Sequence, residues 1–156
     1  MTLTAAEIER LRLHWRLYCA ELANYTTGSR ADDLRSKEKT DVNFDWLLAD
    51  NEIDFKTLRD FVGGIVGFLA TVEYGNVLFI LEAFVVPECR RLGVMRGAIN
   101  EKITPQIEKV VFAVYDGNPA FYCWEKLLHE NGFAEESRET IDGLTEYEFG
   151  KRKGKA

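Results

Sequence analysis

Residues 77–105 constrain the fold more than any other stretch of the chain. Residues 77–86 are an apolar run rich in β-branched and aromatic side chains, ended by Pro87, which reads as a strand. After a turn containing Gly93 the spacing becomes helical, with Met95, Ile99 and Ile103 four apart, and Pro105 limits the helix soon afterwards. A second apolar strand follows at 110–115. A helix between two strands makes a βαβ unit, which predicts a parallel pair with a right-handed crossover.

The turn between strand and helix has chemistry of its own. The first turn of a helix leaves backbone amides unpartnered and carries about half a positive charge, so an anion placed there is bound by both. Gly93 lets a bulky anion approach the backbone, and Arg90, Arg91 and Arg96 add full charges nearby. Taken alone, the same residues also describe an ordinary connection with arginines in water.

Around this unit the pattern is mixed. Ile8, Leu11, Trp15, Tyr18 and Leu22 form one apolar stripe, and Thr4 with Glu7 gives a capping box, so a first helix begins near Ala5. Residues 25–42 are polar without periodicity and predict a surface loop, followed by one or two helical turns at Phe44, Leu47 and Leu48. Segments 57–62, 65–74 and 77–86, divided by Gly63-Gly64 and Gly75-Asn76, predict an antiparallel meander, although 55–61 also suits a helix. A turn at 116–119 leads to a helix burying Phe121, Trp124, Leu127 and Leu128 and stopping at Gly132, and 137–149 reads as a hairpin around Asp142-Gly143. The class is therefore α/β with a mixed sheet.

Composition narrows the functions. At 156 residues, 46% apolar and 29% charged, the chain suits one domain over 1–150 with a basic polar tail at 151–156. No apolar run spans a bilayer, and a net charge of −6 argues against nucleic acid as partner. Carboxylates concentrate between Glu130 and Glu148, which reads as a solvated edge or as a field attracting a cationic amine. Three cysteines without Cys-x-x-Cys spacing fit a reducing cytoplasm, and no metal motif is present.

The ordered set Val85-Val86-Pro87, Arg90-Arg91-Leu92-Gly93-Val94-Met95, Asn118, Ala120-Phe121, Glu125-Lys126-Leu127 and Gly132-Phe133 resembles the GNAT superfamily of acetyl-coenzyme A-dependent N-acetyltransferases, over residues 65–149. The resemblance implies a GNAT-like fold and acetyl-coenzyme A as co-substrate. It implies that the amides of Leu92, Gly93, Val94, Met95 and Arg96 hold the pyrophosphate, helped by Arg90 and Arg91. The backbone of Phe84, Val85 and Val86, where the family has a β-bulge and splayed central strands, would pair with pantetheine and polarise the thioester carbonyl. Asn118, Phe121 and Trp124 would line the cofactor side, and Asn118 equally suits a cap on the turn before Pro119. The implied acceptor is a primary amine of a small molecule or peptide, bound by variable segments before residue 51 and by the C-terminal hairpin.

Two residues depart from the family pattern. Met95 stands where Gly or Ala is preferred. Trp124 stands where many members have the Tyr that protonates the departing thiolate, and an indole N–H cannot do so at neutral pH. Tyr122 is the nearby substitute; otherwise water supplies the proton, the thiolate leaves unprotonated, or catalysis is lost. For the base, Glu82 is the lone carboxylate in its apolar strand, at a wet cleft or on the exposed face of the sheet, with Asp116 as second choice. His14 and His129 read as peripheral, and Cys89 and Cys123 as packing residues. The alternative function is a catalytically silent acyl-coenzyme A sensor or interaction module, and homodimer assembly through the first-helix stripe or the last strand suits either.

Overall fold

The structure, a computed structural model, describes residues 3–152. Three helices come first, α1 (Ala5–Ala23), α2 (Gly28–Arg35) and α3 (Lys37–Ala49), then β1 (Asp54–Arg59), β2 (Ile65–Tyr74) and β3 (Val77–Val85). The chain continues through α4 (Val94–Lys102), β4 (Lys109–Tyr115), α5 (Ala120–Glu130), β5 (Phe133–Ile141) and β6 (Leu144–Lys151). The six strands form one sheet in the order β1-β2-β3-β4-β6-β5, in which only β3 and β4 run parallel. The βαβ unit and the meander are thus both present in a mixed α/β fold. No described helix is long and apolar enough to cross a membrane.

Each face of the sheet carries an apolar cluster. Phe68 and Phe84 meet Leu11, Trp15 and Cys19 of α1 and Phe44 of α3. On the opposite face Leu69, Leu78, Ile80 and Val110 meet Ile99 of α4 and Leu128 of α5. Alternation along β2 and β3 sends adjacent residues to opposite faces, so Phe84 and Val85 enter different cores.

The expected loop at 25–42 is instead α2 and the first half of α3. Only small residues of this stretch are buried, Ala31 and Thr40, so no apolar period marks it. Polar ties to α1 hold it: the Trp15 indole donates to the Thr40 carbonyl at 2.8 Å, and Arg16 grips Asp41 with two bonds at 2.9 and 2.8 Å. Ser36 caps α3 by accepting from the Lys39 amide. The capping box at Thr4 and Glu7 is formed as the sequence predicts.

Three boundaries move. β1 covers 54–59 rather than 57–62, because the Asp60 carboxylate accepts from the amides of Val62 and Gly64 and turns the chain there. Phe61 and Val62 therefore stand in solvent. The last hairpin is longer than expected and turns on Asp142 (φ 51°) and Gly143 (φ 77°). Lys151 still belongs to β6, the Arg152 amide donates to the Gly132 carbonyl at 2.7 Å, and 153–156 lie outside the described residues.

Candidate active site

The site begins where β3 leaves β4. The parallel register runs from Val77↔Lys109 to Ile80↔Phe112 and stops, and Leu81 is the extra residue of a bulge against β2. Beyond it β3 pairs with β2 alone. The Val86 amide donates to the Val66 carbonyl at 2.8 Å, so by alternation Phe84 also turns its amide to β2, whereas Ala83 and Val85 turn theirs into the opening. The bulge thus lies before the expected 84–86, and the amides of Phe84 and Val86 are occupied. Gly67 makes the close pairing feasible: a Cβ there would lie 1.9 Å from the Phe84 carbonyl oxygen.

The loop after β3 makes a short 3-10 turn at Pro87–Cys89, and Gly93 (φ 78°) starts α4 without any side-chain cap. The Gly97 amide is the first to bond within α4, to the Gly93 carbonyl at 3.0 Å. Gly93, Val94, Met95 and Arg96 therefore present amides without a partner among the described residues. The Leu92 amide differs, donating to the Cys89 carbonyl at 3.3 Å, while its side chain is exposed. The side chains of Val94 and Met95 lean into the core, which lets a methionine occupy this loop.

The three arginines do different things. Arg90 donates from Nε to the Val85 carbonyl at 2.7 Å and from Nη2 to Glu21 of α1 at 2.5 Å, with its guanidinium over the Phe84 ring. Arg96 pairs with Glu130 of α5 at 3.1 Å. Arg91, like Lys126 of α5, lines the cleft without an ion-pair partner among the described residues.

A cleft of about 580 Å³ runs from these amides along Ala83, Phe84 and Val85, closed on the far side by Asn118, Cys123 and Trp124. Asn118 both lines it and accepts from the Ala120 amide at 3.0 Å through Oδ1. Trp124 reaches it while touching the Phe112 ring. Phe121 does not: its ring stacks on Tyr147 at 4.5 Å on another side of α5. Tyr122 faces solvent at 70% exposure and lines neither cavity, because two residues of helix rotate it away from Trp124. Cys123, expected to pack, is exposed in the cleft, whereas Cys89 does touch the core.

A second cavity, about 420 Å³, opens between α1, α2 and α3 and is lined by Asp33, Trp46, Asp50, Tyr115 and Glu82. Tyr18 and Leu22 line both cavities. Glu82 is half-buried there, and desolvation pushes its carboxyl up to about 7, partly opposed by the bond that it accepts from the Tyr18 hydroxyl. Burial, followed by the Glu82 charge, holds the Tyr18 phenol well above 10, while the Ala83 amide at its oxygen acts the other way. Tyr18 was legible only as a member of the apolar stripe, and nothing in that stripe marks its hydroxyl.

Other candidates fall elsewhere. Asp116 accepts from the Thr145 hydroxyl at 2.6 Å and gives its amide to the Gly143 carbonyl, the work of a turn residue. His14 is buried rather than peripheral, 6.0 Å from the Phe84 ring with Nδ1 unpartnered among the described residues, because the buried side of α1 includes 14 beside 11, 15 and 19. None of the carboxylates at 130–148 lines either cavity.

No family model and no curated protein matches the sequence. Solved structures do match in fold. The chain is similar to the PaiA N-acetyltransferase of Thermoplasma acidophilum, solved with coenzyme A, at 17% identity and a TM-score of 0.63 over 98% of this chain and 97% of that one. It is similar to the spermidine N-acetyltransferase of Vibrio cholerae, solved with coenzyme A and spermine, at 15% identity and 0.63 over 96% and 91%. A ribosomal-protein-alanine N-acetyltransferase of Brucella melitensis matches at 15% identity and 0.64 over 97% and 98%. The fold is that of the GNAT N-acetyltransferases.

Proposed function

We propose that this chain is an N-acetyltransferase that moves an acetyl group from acetyl-coenzyme A to a primary amine. The observation that carries the reading is the position of Glu82, facing the smaller cavity, next to the part of β3 that has left β4 and lines the larger one.

The donor side suits a coenzyme A thioester. Four uncapped amides at Gly93, Val94, Met95 and Arg96 would hold a pyrophosphate, with Arg91 and Lys126 adding charge. The open edge of β3 supplies the Val85 amide for a thioester whose oxygen gains charge as the amine attacks, while the Ala83 amide lies at the Tyr18 oxygen. The coenzyme, when bound, supplies the activated acyl group. Asn118 and Trp124 close the far wall.

The acceptor side suits a small amine. Asp33 and Asp50 favour a cation at the cavity wall, and the exposed Trp46 ring adds an electron-rich face. An amine is mostly ammonium at neutral pH, and a carboxylate near 7 is placed to take the proton that attack must release. The spermine bound by the Vibrio enzyme is one amine of this class, and Asp33 and Asp50 make polyamines the first to try.

A thiol-release screen with acetyl-coenzyme A over polyamines, amino sugars, amino acids and peptide N-termini tests the reading, with release expected for at least one class. Trp124 favours a second reading, an acyl-coenzyme A binder without turnover. Calorimetric coenzyme binding with no release across the panel would establish that one instead.

A further inference from the structure

Acetyl transfer as proposed leaves one proton unassigned. Sulfur departs as a thiolate, and the α5 position facing it carries Trp124, whose N–H is no acid at neutral pH. Tyr122 points to solvent. Of the other phenols at the cavities, Tyr25 lines only the donor cleft and Tyr115 only the acceptor cavity, whereas Tyr18 lines both.

Tyr18 is held there by its surroundings. Its ring lies 5.5 Å from Trp15, 5.5 Å edge-on to Phe68 and 6.0 Å from Phe84, so α1 and the sheet fix its direction. Its hydroxyl donates to the Glu82 carboxylate and has the Ala83 amide at its oxygen, one of the two amides aimed into the donor cleft. The phenol thus stands between the carboxylate that faces the amine and the backbone edge that faces the thioester.

We propose that Tyr18 is a catalytic acid, delivering its proton to the departing sulfur and recovering it from Glu82, which has taken one from the amine. The inference rests on the acetyl-transfer reading. The balance closes once an ammonium substrate has lost one proton to solvent: the C–N bond forms, Glu82 removes a further nitrogen proton, the C–S bond breaks, Tyr18 protonates sulfur, and Glu82 returns the proton to the phenolate. One proton has travelled from nitrogen to sulfur, and both side chains end as they began.

The acidities require the pair to work together. A phenol held well above 10 is a poor donor to a thiolate whose acid is near 8.5. A carboxylic acid near 7 is a sufficient one, so coupling through the Tyr18–Glu82 bond makes the overall transfer downhill. The other titratable groups facing Glu82, Cys19 and Tyr115, line only the acceptor cavity, so neither reaches the sulfur.

The test compares the full-length chain with Tyr18→Phe, Glu82→Gln, the double variant, and 3,5-difluorotyrosine at position 18. Y18F should bind coenzyme A with unchanged calorimetric affinity yet release thiol about 10²-fold more slowly. The double variant should lose no more than the slower single one. Without coenzyme, carbon NMR should show the Glu82 titration in Y18F moved above about 7, because the phenol bond lowers it. Difluorotyrosine should keep turnover and move the alkaline limb of the rate profile to lower pH. Wild-type kcat in Y18F, or an unmoved Glu82 titration, overturns the relay alone, whereas no thiol release from the unmodified chain with any amine overturns the acetyl-transfer reading with it.

Discussion

Arg90 Nε donates to the carbonyl oxygen of Val85 at 2.7 Å, so this arginine fastens its own loop to the end of β3. Its second bond, to Glu21 at 2.5 Å, ties the same loop to α1. The sequence suggests phosphate ligands at Arg90, Arg91 and Arg96 alike, yet Arg90 and Arg96 already have carboxylate partners. Arg90→Met should weaken coenzyme A binding by about 10-fold through a loosened loop, with little change in salt dependence. Arg91→Ala should weaken it less, about 3-fold, and flatten the salt dependence, because an exposed charge acts through a screened field. Calorimetry at two ionic strengths separates them.

Glu82→Gln should reduce turnover by about 10²-fold or more while sparing coenzyme affinity. In the unmodified chain the acidic limb of kcat/KM should have its midpoint at about 7, where the carboxyl ionises. Rates measured between pH 5 and 9 would show the limb in the wild type and its absence in the variant.

The same group links stability to pH. The folded chain holds the Glu82 proton up to about 7 whereas the unfolded chain releases it near 4.5, so folding takes up a proton in between and stability falls as pH rises. The contribution is fully present below 4.5 and is lost as pH climbs through about 7, a difference of about 3 kcal/mol. Urea unfolding at pH 5 and pH 8 should show E82Q lacking that decline.

Gly93→Ala tests the uncapped start of α4, the proposed pyrophosphate site, through its backbone. A Cβ at Gly93 meets nothing within 4 Å, but the φ of 78° disfavours any side chain by about 1–2 kcal/mol. Coenzyme affinity should fall by about 10-fold as the amides lose their alignment, read by calorimetry.

Gly67→Ala tests the opposite situation, crowding at an ordinary strand position. The added Cβ would face the Phe84 carbonyl oxygen at 1.9 Å and Val85 Cα at 3.0 Å, backbone atoms that cannot rotate away. A loss of roughly 3 kcal/mol is expected, which lowers Tm by about 10 °C. Calorimetric melting checks it.

The parts that were legible in the sequence share a cause. Strands, turn pairs and the crossover follow from local periodicity and from Gly and Pro, whose backbone effects need no partner to be recognised. Glu82 stood out because a carboxylate in an apolar strand is costly to place. Tyr18 and the α2–α3 segment were not legible, because both depend on what meets them. The Tyr18 hydroxyl acquires meaning from Glu82, 64 residues away, and Thr40 is buried because Trp15 reaches across to its carbonyl. Leu81 as the bulge residue is likewise a product of pairing register, which the β3 sequence alone does not carry.

The tie from Trp15 to Thr40 shares its helix with Tyr18 and Glu21. α1 thereby behaves as an axle: a small rotation of it would move the wall of the smaller cavity, the Tyr18 hydroxyl and the loop after β3 together. The two cavities can be altered separately only by leaving this helix in place and exchanging what is mounted on it. The stretch Gly28–Ala49 is the natural cassette for such exchange, with Thr40 and Asp41 kept as its fastenings.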